Sequence, residues 1–306
     1  MSTGMTRIQL PLIDNNAEEC DKRGERLVNL IPFLRQINRV SLQNSDLSKR
    51  VLTTVSEDIP CQENDLQLER VKIQGVDHVK GEVIYLLRIR HTKHDGQFAL
   101  YLNSKGIPAP WKEAFSRDIF VVLPLQINLD CGVGISHLFK LQSGRTHLID
   151  IEGNQSRFED VARLMQGIPE ALYTCAKSDI PLSEIMMGFW RIWNWNSGDS
   201  EVTNLRQALA QELISLAQTK AIVPTQDKNK CVPLRKGQGL FTFIEIPQQL
   251  EDELIRSSYE IYLDGQNVKL QPDNIVPRSF IWYFTKACQA AGDEITSYLP
   301  KQIGWK

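Results

Sequence analysis

Two histidines, His91 and His94, lie close together at the end of a predicted hairpin, and their imidazole nitrogens are potential metal ligands. A metal site in a protein usually requires three or four ligands. The sequence supplies no further ligand at a suitable spacing, because the six cysteines are far apart and form no Cys-x-x-Cys pair. Neither a Gly-x-Ser-x-Gly nucleophile motif nor a Walker loop is present. We therefore predict a solvated turn at the two histidines and no bound metal.

A second candidate is the motif Asp-x-Gly-x-Gly at Asp130, Gly132 and Gly134, which resembles the adenine-binding signature of the GHKL ATPases. In that superfamily the aspartate accepts a hydrogen bond from the adenine amino group, and the glycines let the backbone approach the nucleotide. Glu25 and Asn29 match the accompanying Glu-x-x-x-Asn pattern, in which the glutamate is the general base and the asparagine holds magnesium. The two patterns are about 100 residues apart, farther than in those ATPases, and no glycine-rich lid follows. A self-contained ATP site therefore stays an alternative to a turn at the end of a strand.

Three tryptophans, Trp190, Trp193 and Trp195, lie within six residues of one predicted helical segment. Aromatic residues at helical spacing usually belong to a core, but three so close together cannot all face the same way. The sequence leaves both core packing and a partner-binding surface open for them. The polar segment 224–239, rich in Lys, Pro and Gly, is predicted to be a loop or a joint between domains.

The elements that must position these residues divide the chain into a sheet-rich half and a helix-rich half. Period-two patterns predict strands over 5–13, 40–44, 66–74, 81–91, 97–103 and 118–127. Helical spacing appears over 18–40, with a kink at Pro32, and over 157–166, 181–195 and 201–221. The last part mixes strands (240–246, 259–264) with helices (248–258, 279–292). We predict an α/β (α+β) fold, with a mixed sheet and helices first and a smaller α+β part at the end.

Composition and charge limit the classes of function. The chain has 306 residues, of which 42% are hydrophobic and 24% charged, as expected for a globular protein. A net charge of −2 and a pI near 6.2 provide no overall positive field, which disfavours nucleic acid and an anionic membrane as partners. No apolar run reaches the roughly 20 residues of a membrane span or resembles a signal peptide. We predict a soluble cytoplasmic protein with reduced thiols.

Four segments, in their order and spacing, resemble the sacsin-like relatives of the ninety-kilodalton heat-shock chaperone family. The segment 3–12 (TGMTRIQLPL) is similar to the closing strand of a GHKL nucleotide-binding domain, and 30–42 (LIPFLRQINRVSL) to the segment that follows it. The segment 118–145 has the hallmark of the middle domain: a Leu-Pro-Leu strand, a turn, then Phe-x-Leu, a small residue and Arg145. The segment 168–175 (IPEALYTC) resembles the next helix. In this alignment Asp130 to Gly134 is the turn after the Leu-Pro-Leu strand.

The resemblance implies a middle domain that supplies an arginine to the γ-phosphate of ATP bound in the preceding domain, and Arg145 matches that arginine. The implied organisation is a remnant strand at 1–15, a middle-domain-like region at 16–222 and a smaller α+β region at 223–306. The nucleotide-binding core would precede residue 4, so the chain is not expected to hydrolyse ATP alone.

In a complete assembly ATP and Mg²⁺ would be the cofactors. A nucleotide-binding domain, in cis or in trans, and a client or partner protein would be the partners. A self-contained ATPase using Glu25, Asn29 and Asp130, and a non-enzymatic interaction module, are the alternatives.

Overall fold

The structure is a computed structural model, and it describes most of the chain after residue 38. The described residues are Phe33 and those at 39–43, 49–61, 63, 65–75, 83–110, 118–121, 123–129, 131–142, 148, 151–193, 195, 202–235, 239–243, 246–257, 260–263, 266–293 and 299–303. The strand predicted over 5–13 and nearly all of the helix predicted over 18–40 lie outside them. So do four predicted site residues: Glu25, Asn29, Asp130 and Arg145.

The first half of the described chain forms an eight-stranded sheet with the order β1-β2-β3-β4-β5-β8-β6-β7. All neighbouring strands are antiparallel except β6 and β8, which are parallel. The strands are β1 (Arg39–Gln43), β2 (Lys49–Ile59), β3 (Leu66–Gln74), β4 (Val83–His91), β5 (Gln97–Leu102), β6 (Asp118–Val121), β7 (Leu123–Asn128) and β8 (Val133–Ser136).

Side chains alternate between the two faces along each strand, and both faces bury apolar residues. Val71 and Ile73 of β3 pair with Leu86 and Ile84 of β4 on one face, and a longer apolar row lies on the other. Leu68, Ile89, Phe98 and Ile135 are register partners across β3, β4, β5 and β8, and all four are buried. They belong to the large hydrophobic core that the helices complete. This row of buried side chains holds β8 in the sheet and therefore determines where the chain leaves the sheet.

The opposite face carries a buried ion cluster. Glu69 and Arg88 are register partners on β3 and β4, and the Arg88 guanidinium donates to the Glu69 carboxylate, with Nε at 2.6 Å from Oε2. Arg90 Nη2 lies 2.9 Å from the other carboxylate oxygen of Glu69. A buried carboxylate is tolerated when it is paired and hydrogen-bonded in this way.

Helices follow the sheet, and most of them complete the core on the face that carries Leu68 and Ile89. They are α1 (Ile151–Arg163), α2 (Ile168–Cys175), α3 (Leu182–Arg191), α4 (Thr203–Thr219), α5 (Gln248–Arg256) and α6 (Arg278–Ala291), with 3₁₀ turns at Leu164–Gly167 and Pro272–Asn274. The central helix is α4, which packs against α1 and α6. Within the described part of the chain, none of the helices combines the length and apolar character needed to cross a bilayer.

A smaller core lies in the last part of the chain, formed by Phe241, Phe243, Ile246, Leu270 and Ile275. Two pairs of strands border this core. One is the parallel pair β11 (Phe241–Phe243) and β14 (Lys301–Ile303), and the other is the antiparallel pair β12 (Glu260–Leu263) and β13 (Gln266–Lys269). The short pair β9 (Val223–Pro224) and β10 (Cys231–Val232) precedes it.

The large core continues across the boundary that the sequence predicted after residue 222. Val223 and Val232 belong to that core, and so does α6, whose Phe280 and Phe284 pack on Trp190 with ring centroids 4.9 and 6.1 Å away. Apolar packing thus ties α6 to the first region, although α6 lies within the smaller C-terminal region predicted from the sequence.

The α+β fold class is confirmed, since strands and helices are both present in the predicted order. The strand predicted over 66–74 is β3, and the helix that the resemblance implied at 168–175 is α2. The single strand predicted over 118–127 is wrong. β6 and β7 replace it and pair antiparallel, with Val121 opposite Leu123. A continuous apolar run does not show where the chain turns back, because buried residues such as Ile119 on β6 and Leu125 and Ile127 on β7 occur on both sides of the turn.

Candidate functional site

The chain leaves the sheet at the β8 end, which we define as residues 137–142. Three neighbouring elements surround it: the turn 92–96 between β4 and β5, the beginning of α1, and the residue Leu148 that precedes α1. Arg145, the phosphate-contacting residue implied by the resemblance, follows the β8 end in the sequence and lies outside the described residues. The site is therefore described through the residues that flank Arg145 in the sequence.

A single asparagine of α1 fixes the backbone of the β8 end. Asn154 is fully buried, with 0% of its surface exposed. Its Oδ1 accepts a hydrogen bond from Lys140 N at 2.7 Å, and its Nδ2 donates to Lys140 O at 3.0 Å. The side-chain amide thus pairs with one backbone residue through both of its polar groups, as a neighbouring strand would.

The next residue along the chain is held by a different contact. Leu141 forms an isolated antiparallel bridge with Leu148, which is buried. The bridge brings together the two residues that flank the segment 142–147, and α1 begins three residues after Leu148, at Ile151. Both flanks of the segment that contains Arg145 are therefore attached to the sheet–helix body.

His137 lies at the start of the β8 end and is the most unusual titratable group there. Its side chain is 7% exposed, and neither ring nitrogen has a hydrogen-bond partner among the residues that the structure describes. Its Nε2 lies 3.9 Å from Asp160 Oδ2 on α1. Burial lowers the pKa of His137, while the Asp160 carboxylate opposes this shift and Arg157 adds to it. A neutral imidazole is the consequence at physiological pH.

His91 and His94 lie beside this region, at the end of β4 and in the turn that follows. Their rings meet edge to face with centroids 4.5 Å apart, and His94 is exposed. Burial and the nearby His94 lower the pKa of His91. Among the residues that the structure describes, no group of three or more His, Cys, Asp or Glu side chains is placed to hold a metal ion.

The β8 start, which we define as residues 131–133, contains one of the glycines considered for adenine binding. Gly132 N donates to Ile192 O at 2.6 Å, and a Cβ on Gly132 would lie 3.0 Å from Ile192 Cβ. The close approach that this glycine permits is thus to Ile192 of the chain itself. Gly134 lies within β8 opposite Ala99, so it is part of a strand and not of the predicted turn.

The three tryptophans, for which the sequence left core packing and a partner-binding surface open, are buried. Trp190 and Trp193 are fully buried and Trp195 is 8% exposed. Trp193 stacks on Trp195 with ring centroids 5.6 Å apart, and Trp190 Nε1 donates to Ile222 O at 2.9 Å. The partner-surface interpretation is corrected to core packing, because the helix ends at Arg191 and the chain beyond it turns the later rings inward.

Sequence reasoning missed two residues that the structure makes conspicuous. Asn154 looked like an ordinary polar residue ahead of a helix, and only its zero exposure and paired hydrogen bonds distinguish it. Trp282 on α6 is 48% exposed, with Lys286 Nζ 5.9 Å from its ring centroid. An aromatic residue next to a lysine at helical spacing was the available signal for this exposed surface.

Comparison of the chain with family models, with curated proteins and with solved structures found no match in any of the three. The chemistry of the site must therefore be judged from its own residues. The β8 end presents an anchored backbone, the exposed Lys140 and the buried His137, and the described side chains form no metal-binding group there. Such a site can position a charged group toward a ligand held elsewhere.

Proposed function

We propose that this chain is a cytoplasmic middle-domain module of a sacsin-like, heat-shock-chaperone-type GHKL ATPase. In this role it couples the nucleotide state of a separate nucleotide-binding domain, present in cis or in trans, to the binding of a client or partner protein. ATP and Mg²⁺ are bound by that other domain. This chain contributes Arg145, whose guanidinium contacts the γ-phosphate.

The observation that carries this proposal is the double attachment around the segment that contains Arg145. Asn154 holds Lys140, and the bridge to Leu148 holds Leu141, so the chain on both sides of the segment is fixed to the fold. An arginine that reaches a phosphate in another domain requires such a support, since a small misplacement of a charged group greatly reduces its effect on a reaction.

The residue types around the site suit a phosphate contact. A guanidinium donates two parallel hydrogen bonds to phosphate oxygens and keeps its charge at every physiological pH. The exposed Lys140 adds positive charge close to Arg145 in the sequence, and the pairing of its backbone leaves its ammonium group in solvent. An arginine supplied to a phosphoryl group in this way accelerates hydrolysis on the order of 10³-fold or more in other nucleotide hydrolases.

The proposal is tested by joining the nucleotide-binding domain of a sacsin-like protein ahead of Thr3 through a flexible linker and measuring steady-state ATP hydrolysis. Arg145→Ala should lower the rate on the order of 10²-fold, and Arg145→Lys should lower it less, because lysine keeps the charge but not the planar fork. Arg191→Ala, at the exposed end of α3, is the matched control and should leave the rate unchanged.

Calorimetric titration of the unfused chain with Mg²⁺-ATP separates this proposal from a self-contained ATPase. We expect no binding. Micromolar binding that Asp130→Asn abolishes would favour the self-contained alternative, and a fusion that hydrolyses ATP equally well with alanine at position 145 would exclude the role given to Arg145.

A further inference from the structure

We infer that Glu251 is a proton-sensitive latch, because its buried carboxyl ties helix α5 to the loop 225–230 and keeps one oxygen without a hydrogen-bond partner in the described part of the chain. We call residues 225–230 the joint. They lie between β9 and β10, within the segment that the sequence predicted to be a loop or a joint between domains. A neutral carboxyl holds α5 on the joint more firmly than a charged one. The inference does not depend on the role given to Arg145.

The joint connects the large core with the smaller one. It continues into β10, whose Val232 belongs to the large core. On the other side, Gln226 N donates to the carbonyl oxygen of Ile275, a residue of the smaller core, at 2.9 Å. Lys230 Nζ lies 2.6 Å from Asp273 Oδ2, so these two charges in and beside the joint are paired with each other.

Helix α5 makes two kinds of contact. Leu250 and Leu254 pack on the smaller core. Glu251 lies between them in the sequence and reaches the joint, where its Oε1 accepts a hydrogen bond from Gln226 Nε2 at 2.9 Å. The carboxyl therefore adds a polar contact with the joint to the apolar attachment of α5.

The burial of Glu251 is unusual for a glutamate. The residue is 2% exposed, although glutamate is rarely fully buried unless it is paired. Its Oε2 has no hydrogen-bond partner among the described residues. Arg278 Nη2 lies 3.6 Å from this oxygen and donates its hydrogen bond to Ile246 O instead. The carboxyl thus has one oxygen that is hydrogen-bonded to the joint and one that is buried and available to a proton.

A negative charge on this carboxyl is unfavourable while α5 is held on the joint. A buried carboxylate is tolerated when it is fully paired, and Oε2 is not. Burial raises the pKa of Glu251, the Arg278 guanidinium and the hydrogen bond from Gln226 oppose the shift, and Asp252 adds to it. A proton on Oε2 removes the charge and leaves Oε1 as the acceptor for Gln226.

The contact between α5 and the joint therefore depends on pH. When α5 separates from the joint, water reaches Glu251 and its pKa returns toward the ordinary value of 4.5. The closed state binds the proton more readily than the open one. Its stability is greatest below about pH 4.5 and is lost as the pH rises through the raised pKa of the closed state. The lowered pKa of His137 gives the large core a dependence of the opposite sign.

Hydrogen exchange of the α5 amides in the complete chain tests the latch. Glu251→Gln keeps the acceptor for Gln226 and removes the charge, so at about pH 8 the wild type should exchange about tenfold faster than this variant. The ratio of the two rates should fall toward one as the pH is lowered to about 5. The intrinsic effect of pH on exchange and the contribution of His137 cancel in this ratio. Glu253→Gln, at an exposed position of the same helix, is the matched control and should exchange like the wild type.

A second variant tests the contact from the side of the joint. Gln226→Ala removes the hydrogen-bond donor and should accelerate exchange of α5 on the order of tenfold at about pH 8. The acceleration should be smaller at about pH 5, because a hydrogen bond to a charged carboxylate is stronger than one to a neutral carboxyl.

Two results would overturn the inference. If the ratio between wild type and Glu251→Gln stays the same from about pH 8 to about pH 5, the substitution acts on packing and no proton is involved. If Gln226→Ala leaves the exchange of α5 unchanged, the carboxyl does not hold the helix on the joint. Both measurements use the unfused chain without nucleotide, so the proposed function is tested separately by Arg145→Ala.

Discussion

The two ends of strand β8 are held by different forces. At the β8 start, Gly132 packs against Ile192 so closely that no side chain fits between them. Trp193, which follows Ile192 in the sequence, adds a fully buried ring. At the β8 end, the anchoring contacts are hydrogen bonds from Asn154, and the buried titratable His137 lies beside Asp160. The first end combines close packing with a backbone hydrogen bond from Gly132 to Ile192, whereas at the second end a buried side-chain amide holds the backbone next to the core residue Phe139.

The difference determines which groups each end contributes. Apolar close packing is dense and depends little on pH, so it fixes the strand without a titratable group. At the β8 end the Asn154 amide pairs with the backbone of Lys140, and the side chain of Lys140 is exposed. The effects of substitutions at the two ends should therefore differ in size and in the property that they change.

The largest effect is expected at the β8 start from Trp193→Ala. The indole is fully buried and packs on Phe98 of β5, with ring centroids 5.9 Å apart. Truncation leaves a large cavity in the core and should reduce the free energy of unfolding by about 3–5 kcal/mol, measured by urea denaturation. Trp282→Ala, which removes a half-exposed indole, is the matched control and should cost less than about 1 kcal/mol. Equal losses in the two variants would contradict the assignment of Trp193 to the core.

A smaller effect is expected from Gly132→Ala, which adds one methyl group at the β8 start. The new Cβ would lie 3.0 Å from Ile192 Cβ and 3.2 Å from Ile192 O, so the two chain segments must move apart. Overpacking of this kind costs about 1–3 kcal/mol in thermal or urea unfolding. Gly239→Ala is the control, since nothing lies within 4 Å of its Cβ position. If both substitutions are neutral, the close packing at the β8 start does not constrain the strand.

The smallest effect is expected at the β8 end and appears only as a dependence on pH. Burial lowers the pKa of His137 below its ordinary value of 6.5, although Asp160 and Asp95 oppose the shift, while Arg157 and His94 add to it. The unfolded chain therefore binds a proton more readily than the folded one, and stability falls as the pH drops below about 6.5.

Replacing the imidazole with a side chain that does not titrate removes this contribution. The His137→Gln variant should lose less stability than the wild type when thermal unfolding is compared between about pH 7.5 and about pH 5.5. Asp160→Asn should make the loss larger, because it removes the carboxylate that favours the protonated imidazole. Identical pH dependence in the wild type and His137→Gln would show that His137 does not titrate against folding.

Sequence patterns predicted the strands and helices with strong periodicity and missed those without it. The alternation of the buried Val71 and Ile73 with the less buried Arg70 and Lys72 along β3 identified that strand, because there the buried and less buried positions differ in polarity. β2 was not predicted, since Ser56, Glu57 and Asp58 in its second half are exposed and carry no apolar alternation. A strand that is only partly buried shows little alternation of apolar and polar residues, so its sequence does not predict it.

The chemistry proposed for the candidate site rests on resemblance, and the contacts that build the site could not be predicted from local patterns. The motif around Arg145 suggested a phosphate-contacting arginine through resemblance alone. The contact between the Asn154 amide and the backbone of Lys140 joins two residues that are 14 positions apart in the chain. For the tryptophan segment the sequence left a core and a surface open, and packing placed all three rings inside.

By itself, the sequence determined the α+β class, the order of most elements and the near-neutral charge, because periodicity, turn residues and composition act locally. The tertiary structure alone decided that Gly132 meets Ile192, that Trp193 is buried and that Asn154 holds Lys140. Each of these depends on two segments that approach in space after the core has formed. Packing and hydrogen-bond distance, which no local pattern encodes, determine whether a residue serves the core, an anchor or a surface.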